Sequence, residues 1–242
     1  MLIMPTADLV GIITDVLPLA PDPKDKDNPR GGVLLEWDGE ALHAHATDGL
    51  SAGISTYHPD DPTDFDDDAT QPVVYWGDSG GDPEPRWRVF ITTADAKEVV
   101  STFKLAYKFR MVPLHVKVNL ARTRLIIERT RDTGKTQHEM TVERVADADR
   151  VFPDLRAQID RAEGNTASVD RLAVWGHRLA AFANAGRRGP VELIPVRFAD
   201  DELVVVRVGS RFAGYVTPHT EPRRPPSDVL RNGAGVLVGG PS

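Results

Sequence analysis

The stretch GVLLEWDGEALHAHATDG (32–49) decides the fold, because it contains two extended runs joined by a polar turn. Apolar residues flank the turn at Asp38 and Gly39, which is typical of a β-hairpin. Two further stretches have the same form, VKVNLARTRLIIERT (116–130) and PVRFADDELVVVRVG (195–209). Each follows a segment of helical periodicity, so a helix-plus-hairpin unit occurs three times.

The three units recur at a near-constant spacing. The leucines just past the turns are Leu42, Leu125 and Leu203, which lie 83 and 78 residues apart. Self-similarity at a fixed period indicates an internally repeated architecture. Because each unit combines a helix with antiparallel strands, the sequence predicts an α+β fold.

The helices are predicted from apolar residues at a spacing of three and four. The first runs from Thr6, the predicted N-cap, to Leu17, the second begins near Thr93, and the third follows Ser168 and ends at Gly186. The residues predicted to be buried are Leu9, Ile13, Val16 and Leu17 in the first helix, Ala96, Val100, Phe103 and Tyr107 in the second, and Leu172, Trp175, Leu179 and Phe182 in the third.

Composition limits the classes of function. The chain has 242 residues, 40% of them hydrophobic, and a net charge of −7. It has no cysteine, which excludes disulfides and thiol catalysis and favours a cytoplasmic protein. No apolar run is long enough to span a membrane, and the start lacks a signal-peptide pattern. Six aspartates fall in HPDDPTDFDDDATQP (58–72), part of a predicted acidic loop (57–86), and the net charge argues against a simple nucleic-acid binder.

Two histidines on one predicted strand, His43 and His45, suggest a metal site, because alternate side chains of a strand share a face. A metal-dependent hydrolase using this pair is therefore one hypothesis. The other five histidines show no metal-ligand spacing, and Leu42, Ala44 and Ala46 alternate with the pair. We therefore predict that the small apolar residues face the core, that the histidines face outward, and that no metal or other cofactor is bound.

Two other motifs suggest ligands. The acidic loop could bind calcium, but it lacks the glycine and the closing glutamate of an EF-hand, so a solvated loop is the expectation. The GKT sequence at Gly134–Thr136 lacks the earlier glycine of a phosphate-binding loop and does not lead into a helix.

The order of two motifs resembles a known family. The hairpin that ends in ATDG (46–49) and the later segment RVFPDLRAQI (150–159), placed among three helices, resemble the bacterial DNA polymerase III beta subunit, the sliding clamp. That family has three domains of two units each. The resemblance implies about one and a half clamp-like domains: a complete domain at 1–160, and a half-size or degenerate one at 165–242 with a Pro-rich linker and a C-terminal strand.

The resemblance also implies a function. Clamp-family members are non-enzymatic replication or repair accessories that hold duplex DNA without sequence preference and tether a polymerase or other partner. The basic residues in the matching places are Lys97, Lys104, Lys108, Arg171, Arg178, Arg187 and Arg188. The first helix departs from a basic lining, since it carries Asp8 and Asp15 and no lysine or arginine.

The family's partner-peptide pocket implies a second site. The matching residues are Thr47, Gly49, Leu50 and Ala52, with Val236, Leu237 and Val238 opposite. The family usually has His-Arg-Leu after the glycine, whereas this chain has Leu50, Ser51 and Ala52. Two functions therefore stand side by side: a homo-oligomeric DNA-holding clamp, and a monomeric peptide-binding adaptor or clamp regulator that does not encircle DNA.

Overall fold

The computed structural model describes residues 2–21, 31–59, 86–104, 115–121, 124–130, 136–143, 145, 152–165, 173–198 and 201–218. Within these ranges the helices are α1 (Thr6–Val16), α2 (Thr93–Phe103), α3 (Leu155–Glu163) and α4 (Gly176–Ala180), and short 3-10 turns follow α1 at Leu17–Leu19 and α4 at Ala185–Arg188. The strands are β1 (Leu2–Pro5), β2 (Gly32–Trp37), β3 (Leu42–Thr47), β4 (Ser51–Tyr57), β5 (Trp87–Thr92), β6 (His115–Ala121), β7 (Arg124–Thr130), β8 (Thr136–Glu143), β9 (Val191–Phe198), β10 (Asp201–Val208) and β11 (Phe212–Val216).

The three predicted hairpins are confirmed as β2–β3, β6–β7 and β9–β10. All strand pairs are antiparallel. One sheet has the order β1-β6-β7-β8, and the other has the order β5-β2-β3-β4-β11-β10-β9. The first two units thus belong to different sheets, whereas the strands of the third unit extend the sheet of the first.

The first two units exchange strands. The strand before α1 is β1, and it pairs with β6 of the second unit; the strand before α2 is β5, and it pairs with β2 of the first unit. Helices α1 and α2 also contact each other. The reciprocal exchange gives these two units an approximate twofold plan and ties them into one body.

The joint between the first and third units is the pairing of β4 with β11, in which Gly53 lies opposite Gly214. A Cβ atom on Gly214 would lie 2.4 Å from the Ala52 carbonyl oxygen, and one on Gly53 would lie 2.5 Å from Leu19 Cδ1. The contact at Gly214 is with backbone that cannot move aside, so the joint requires glycine there, whereas at Gly53 the side chains of Leu19 and Phe212 would have to shift.

Two hydrophobic clusters cover opposite faces of the long sheet. The first, on the face defined here as the inner face, contains Val33 and Val204 together with residues of α1 and α2. The second, on the outer face, contains Leu34 and Val205 together with Leu155 and other residues of α3. Helix α3 therefore packs on the face of the sheet opposite to α1 and α2.

Several expectations about the helices need correction. Pro5 rather than Thr6 is the N-cap of α1, and no side chain caps it, whereas Thr92 caps α2 by accepting a hydrogen bond from the Asp95 N–H. The third helix is much shorter than predicted, and Gly186 lies within the 3-10 turn rather than after the helix. Trp175, predicted to be buried, is 46% exposed at the N-cap of α4.

The buried stripes of α1 and α2 agree with the prediction at Leu9, Ile13, Val16, Ala96 and Phe103, and Phe182 is also buried. Leu17, Val100 and Leu179 are only partly buried. Leu172 and Tyr107 lie outside the described residues. The leucine match fails in the third unit, because Leu203 packs on the outer-face cluster whereas Leu42 and Leu125 belong to the inner one.

The glycine pair at the joint gives a stability prediction. We expect Gly214→Ala to lower the free energy of unfolding by about 1–3 kcal/mol, because the new methyl group must displace the backbone of β4. The control is Gly176→Ala, since a Cβ there meets nothing within 4 Å. Urea unfolding of both variants checks this, and equal stabilities would contradict the proposed constraint.

Candidate functional site

The turn between β3 and β4 is held by its own polar side chains. The Asp48 carboxylate accepts hydrogen bonds from the N–H groups of Leu50 (2.8 Å) and Ser51 (2.6 Å). The Thr47 hydroxyl donates to the Ser51 carbonyl (2.9 Å) and accepts from the Gly49 N–H (3.0 Å). Gly49 has a φ of 89°, a conformation that favours glycine. The ATDG motif therefore forms a rigid turn.

The same turn is bonded to the third unit. The Thr217 N–H and hydroxyl both donate to the Leu50 carbonyl, at 2.9 and 3.0 Å. The Arg178 guanidinium of α4 donates to the Thr217 hydroxyl at 2.9 Å. These contacts place α4, the end of β11 and the β3–β4 turn side by side. Nothing in the sequence pattern pointed to Thr217.

The predicted peptide-pocket residues differ in accessibility. Leu50 is 47% exposed and Gly49 is also exposed, whereas Thr47 and Ala52 are buried. Thr47 and Ala52 therefore shape the turn, whereas Gly49 and Leu50 form its accessible surface. Val236, Leu237 and Val238 lie outside the described residues.

The predicted DNA-contact residues are only partly brought together. Lys97 and Lys104 are exposed on α2, in a stripe with Ala94 and Ser101. Arg178, by contrast, is engaged with Thr217. Lys108 and Arg171 lie outside the described residues, and only the backbone is described at Arg187 and Arg188.

The two aspartates of α1 do not face solvent. Asp8 is 2% exposed, with its carboxylate 3.5 Å from the Arg211 guanidinium. Asp15 is 3% exposed and accepts a hydrogen bond from the Ser55 hydroxyl at 2.8 Å. Both carboxylates thus have partners inside the protein, so α1 exposes no acidic side chain to a DNA duplex.

The histidines of β3 are buried, contrary to the prediction that they face outward. His43 is 5% exposed, with Nδ1 2.9 Å from the Thr56 hydroxyl and Nε2 2.7 Å from an Arg156 guanidinium nitrogen of α3. With its proton on Nδ1, neutral His43 donates to Thr56 and accepts from Arg156; with the proton on Nε2 it donates to Asp38 instead. The Asp38 carboxylate also lies 2.9 Å from Nε2 and 3.5 Å from Arg156.

His45 is 3% exposed and packs edge-on against Phe152 of the FPD segment. Its Nε2 lies 3.2 Å from a Glu36 carboxylate oxygen, without hydrogen-bond alignment. Burial lowers the pKa of His43 to about 4 and also lowers the pKa of His45. Each histidine thus faces one carboxylate, and no group of three or more metal-ligating side chains occurs in the described part of the chain.

The carboxylates beside the histidines are shifted as well. The contact with His45 lowers the pKa of Glu36 against the opposing effect of its burial. Burial raises the pKa of Asp38, but the N–H groups of Ala41 and Glu40, which donate to its carboxylate, outweigh that effect and leave the pKa below its ordinary value. This cluster is a polar layer that fixes α3 onto the β2–β3 hairpin.

The buried histidines predict acid sensitivity. Because the folded pKa of His43 lies below its unfolded value, the unfolded chain binds more protons between about pH 4 and 6.5, so stability falls as the pH drops through that window. Lowering the pH from about 7.5 to 5.5 should cost about 1–3 kcal/mol of unfolding free energy. Urea unfolding at both pH values measures this.

His43→Gln is the matched variant for that measurement, since it keeps a polar side chain that does not titrate in this window. We expect its unfolding free energy to change less with pH than that of the wild type. An identical pH dependence in both proteins would show that His43 is not the source.

The fold places the chain in a class. This architecture of antiparallel sheets continued across a joint, with α1 and α2 on the inner face, matches the fold of solved DNA polymerase III beta subunit sliding clamps. Solved structures with this fold include the beta subunit from Thermotoga maritima (14% identity, TM-score 0.56, covering 91% of this chain and 65% of that one).

Two further solved structures match in the same way. They are a putative beta subunit from Eubacterium rectale (10% identity, TM-score 0.59, 95% of this chain and 67% of that one) and a Pseudomonas aeruginosa sliding clamp bound to griselimycin (12% identity, TM-score 0.57, 98% and 68%). This chain thus matches about two thirds of the length of these clamps.

The sequence comparisons gave no match, either to a protein-family model or to a curated protein. Among the described residues, no helix is both long enough and apolar enough to cross a membrane.

Proposed function

We propose that this protein is a sliding-clamp-like accessory of DNA replication or repair, which holds duplex DNA without sequence preference and tethers partner proteins by short peptide segments. Its action is topological and electrostatic, and no bond is made or broken by the protein. The proposal is supported by the clamp fold, which extends over nine tenths of the chain or more. It covers the complete domain (1–160) and the half-size domain (165–242).

The observation that carries the DNA-holding role is the solvent face of α2. Lys97 is exposed on α2 and Lys104 is exposed at its C-cap, both beside the buried stripe of Ala96, Val99 and Phe103. The helix also exposes one carboxylate, that of Glu98. Exposed ammonium groups on a rigid helix contact phosphates irrespective of base sequence and release counterions. The burial of Asp8 and Asp15 supports the same reading, because it keeps two carboxylates away from the phosphates.

A charge reversal tests this role. The double variant Lys97→Glu and Lys104→Glu should weaken binding to duplex DNA about tenfold or more, and reduce the salt dependence of binding by about one unit of slope for each lysine. Fluorescence anisotropy of a labelled duplex at several salt concentrations measures both. Arg124→Glu, an exposed charge reversal on β7, is the control and should bind DNA like the wild type. Equal losses in both proteins would argue against a site on α2.

The partner-binding role is proposed for the surface around Leu50, which we call the Leu50 surface: Gly49, Leu50, Arg178 and Thr217. It combines an exposed leucine, which a peptide's apolar side chain would cover, with the guanidinium of Arg178. Its backbone is held rigidly by Asp48 and Thr217, which lowers the ordering cost of binding.

Griselimycin is a suitable probe, because the Pseudomonas aeruginosa clamp has been solved bound to it. We expect this chain to bind griselimycin, and Leu50→Asp to weaken binding about tenfold or more, since a charge would replace the apolar contact. Isothermal titration calorimetry measures the affinity. Leu193→Asp, an identical change at an equally exposed leucine, is the control and should bind normally. A wild-type protein that does not bind the probe would contradict this site.

A peptide-binding adaptor that does not encircle DNA is the second candidate. The observation that favours it concerns α1, which carries no lysine or arginine. Of the α1–α2 pair in the described chain, only α2 therefore offers exposed lysines to DNA. Two results together would support the adaptor over the clamp. The protein would bind griselimycin, and the charge reversal on α2 would leave its DNA binding unchanged.

A further inference from the structure

One arginine lies on the apolar face of the β1-β6-β7-β8 sheet. Leu125, Ile127 and Arg129 alternate along β7 and therefore share a face, and the two apolar residues belong to the first hydrophobic cluster. Arg129 lies directly opposite His138 of β8, whose side chain is on the same face and is exposed. The guanidinium thus stands at the rim of the core, between buried apolar side chains and an accessible imidazole.

Arg129 is buried without a partner in the protein. The residue is only 8% exposed, and its Nε–H is buried with no hydrogen-bond acceptor. Burial lowers the pKa of the guanidinium, and in the part of the chain that the structure describes no carboxylate opposes that effect. A buried cation with no counter-charge destabilises a protein, so it needs a reason to be there.

The strands beside Arg129 carry their acidic side chains on the other face of the sheet. Glu128 lies opposite Glu139, and Arg124 lies opposite Glu143, with which it forms an ion pair at 2.8 Å. These positions alternate with Arg129 along the strands, so their carboxylates point away from its guanidinium. Besides the Arg129 and His138 pair, the described positions of β7 and β8 on this face are apolar: Leu125, Ile127, Met140 and Val142.

The helices near this sheet supply no carboxylate to Arg129 either. Helix α1 contacts β6, and α2 contacts β8. Asp8 and Asp15 of α1 are held by residues of the other units, and Asp95 of α2 accepts a hydrogen bond from the Thr92 hydroxyl at 2.6 Å. Glu98 of α2 is exposed. Within the described ranges, the charge of Arg129 therefore has no counter-charge on the strands or helices around it.

We propose that Arg129 binds a small oxyanion of the phosphate class. A planar guanidinium presents parallel N–H donors that match two oxygens of one phosphate group. The imidazole of His138, on the neighbouring strand and the same face, adds a further donor. The bound anion would neutralise the buried charge and join β7 to β8, so it would stabilise the second unit.

The occupant is a free phosphate group rather than a phosphate of duplex DNA. Arg129 is more than nine tenths buried, so a small ion can reach its guanidinium but the backbone of a duplex cannot. The lysines proposed to contact DNA are on α2 and are exposed. The inference is therefore independent of the proposed function.

Thermal unfolding of the full chain tests this site. Millimolar inorganic phosphate should raise the melting temperature of the wild type by about 3 °C or more, because a ligand that binds only the folded state stabilises it. Sodium chloride at the same ionic strength should have no such effect. Arg129→Met keeps an apolar stem without the charge and should show no shift with phosphate. In phosphate-free buffer it should melt no lower than the wild type, because it removes a buried charge that has no partner.

Arg124→Met is the matched control, since it is the same substitution on the opposite face of β7, and it should keep the full response to phosphate. An equal shift with sodium chloride, or an equal response to phosphate in Arg129→Met, would overturn the site. So would an Arg129→Met protein that melts well below the wild type without phosphate, since Arg129 would then have a partner in the protein.

Duplex DNA binding separates this inference from the proposed function. Arg129→Met should bind a labelled duplex like the wild type in the anisotropy measurement. The double variant Lys97→Glu and Lys104→Glu should keep the shift with phosphate, because its substitutions are on α2. A loss of DNA affinity in Arg129→Met would overturn the assignment to a small ion, since the anion would then belong to the DNA backbone.

Discussion

The antiparallel pairing of β4 with β11 is the interaction on which the rest of the structure depends, because it converts two folding units into one sheet. Gly53 and Gly214 allow the strands to meet beneath Phe182 and Phe212. On the other face, α3 bridges the joint, where Tyr215 donates a hydrogen bond to Gln158. The joint is thus fixed on both faces, and the distance between the β3–β4 turn and α4 is set by the sheet.

Several charged side chains have their partners inside the protein. Asp8 of α1 pairs with Arg211 in the β10–β11 turn, Asp15 accepts a hydrogen bond from Ser55 of β4, and the Arg156 guanidinium joins α3 to the hairpin through His43. Such buried polar contacts fix which surfaces meet more than they add stability, because desolvation offsets much of the attraction. The overall charge of −7 therefore says little about the face on which α2 carries its lysines.

The hairpins and the inner stripes of α1 and α2 could be predicted from the sequence, because periodicities of two and 3.6 report directly on local structure. The same patterns failed where both faces of an element are covered. Alternation placed His43 and His45 in solvent because it cannot show that α3 covers the second face. Trp175 was assigned to the core because its spacing is helical, yet the helix begins only after it. Thr217, bonded to Leu50 across the joint, leaves no local signal at all.

The exchange of β1 and β5 has a consequence for how the chain folds. Leu2 and Met4 are buried in the core by pairing with β6, whose residues are synthesised long after them. Contacts so distant in sequence are slow to form and leave apolar segments exposed in the meantime. The hairpins can form as they emerge from the ribosome, but β1 must wait for β6 (His115–Ala121), which lies about halfway along the chain. The edge of the β1-β6-β7-β8 sheet is therefore closed later than the hairpin inside it.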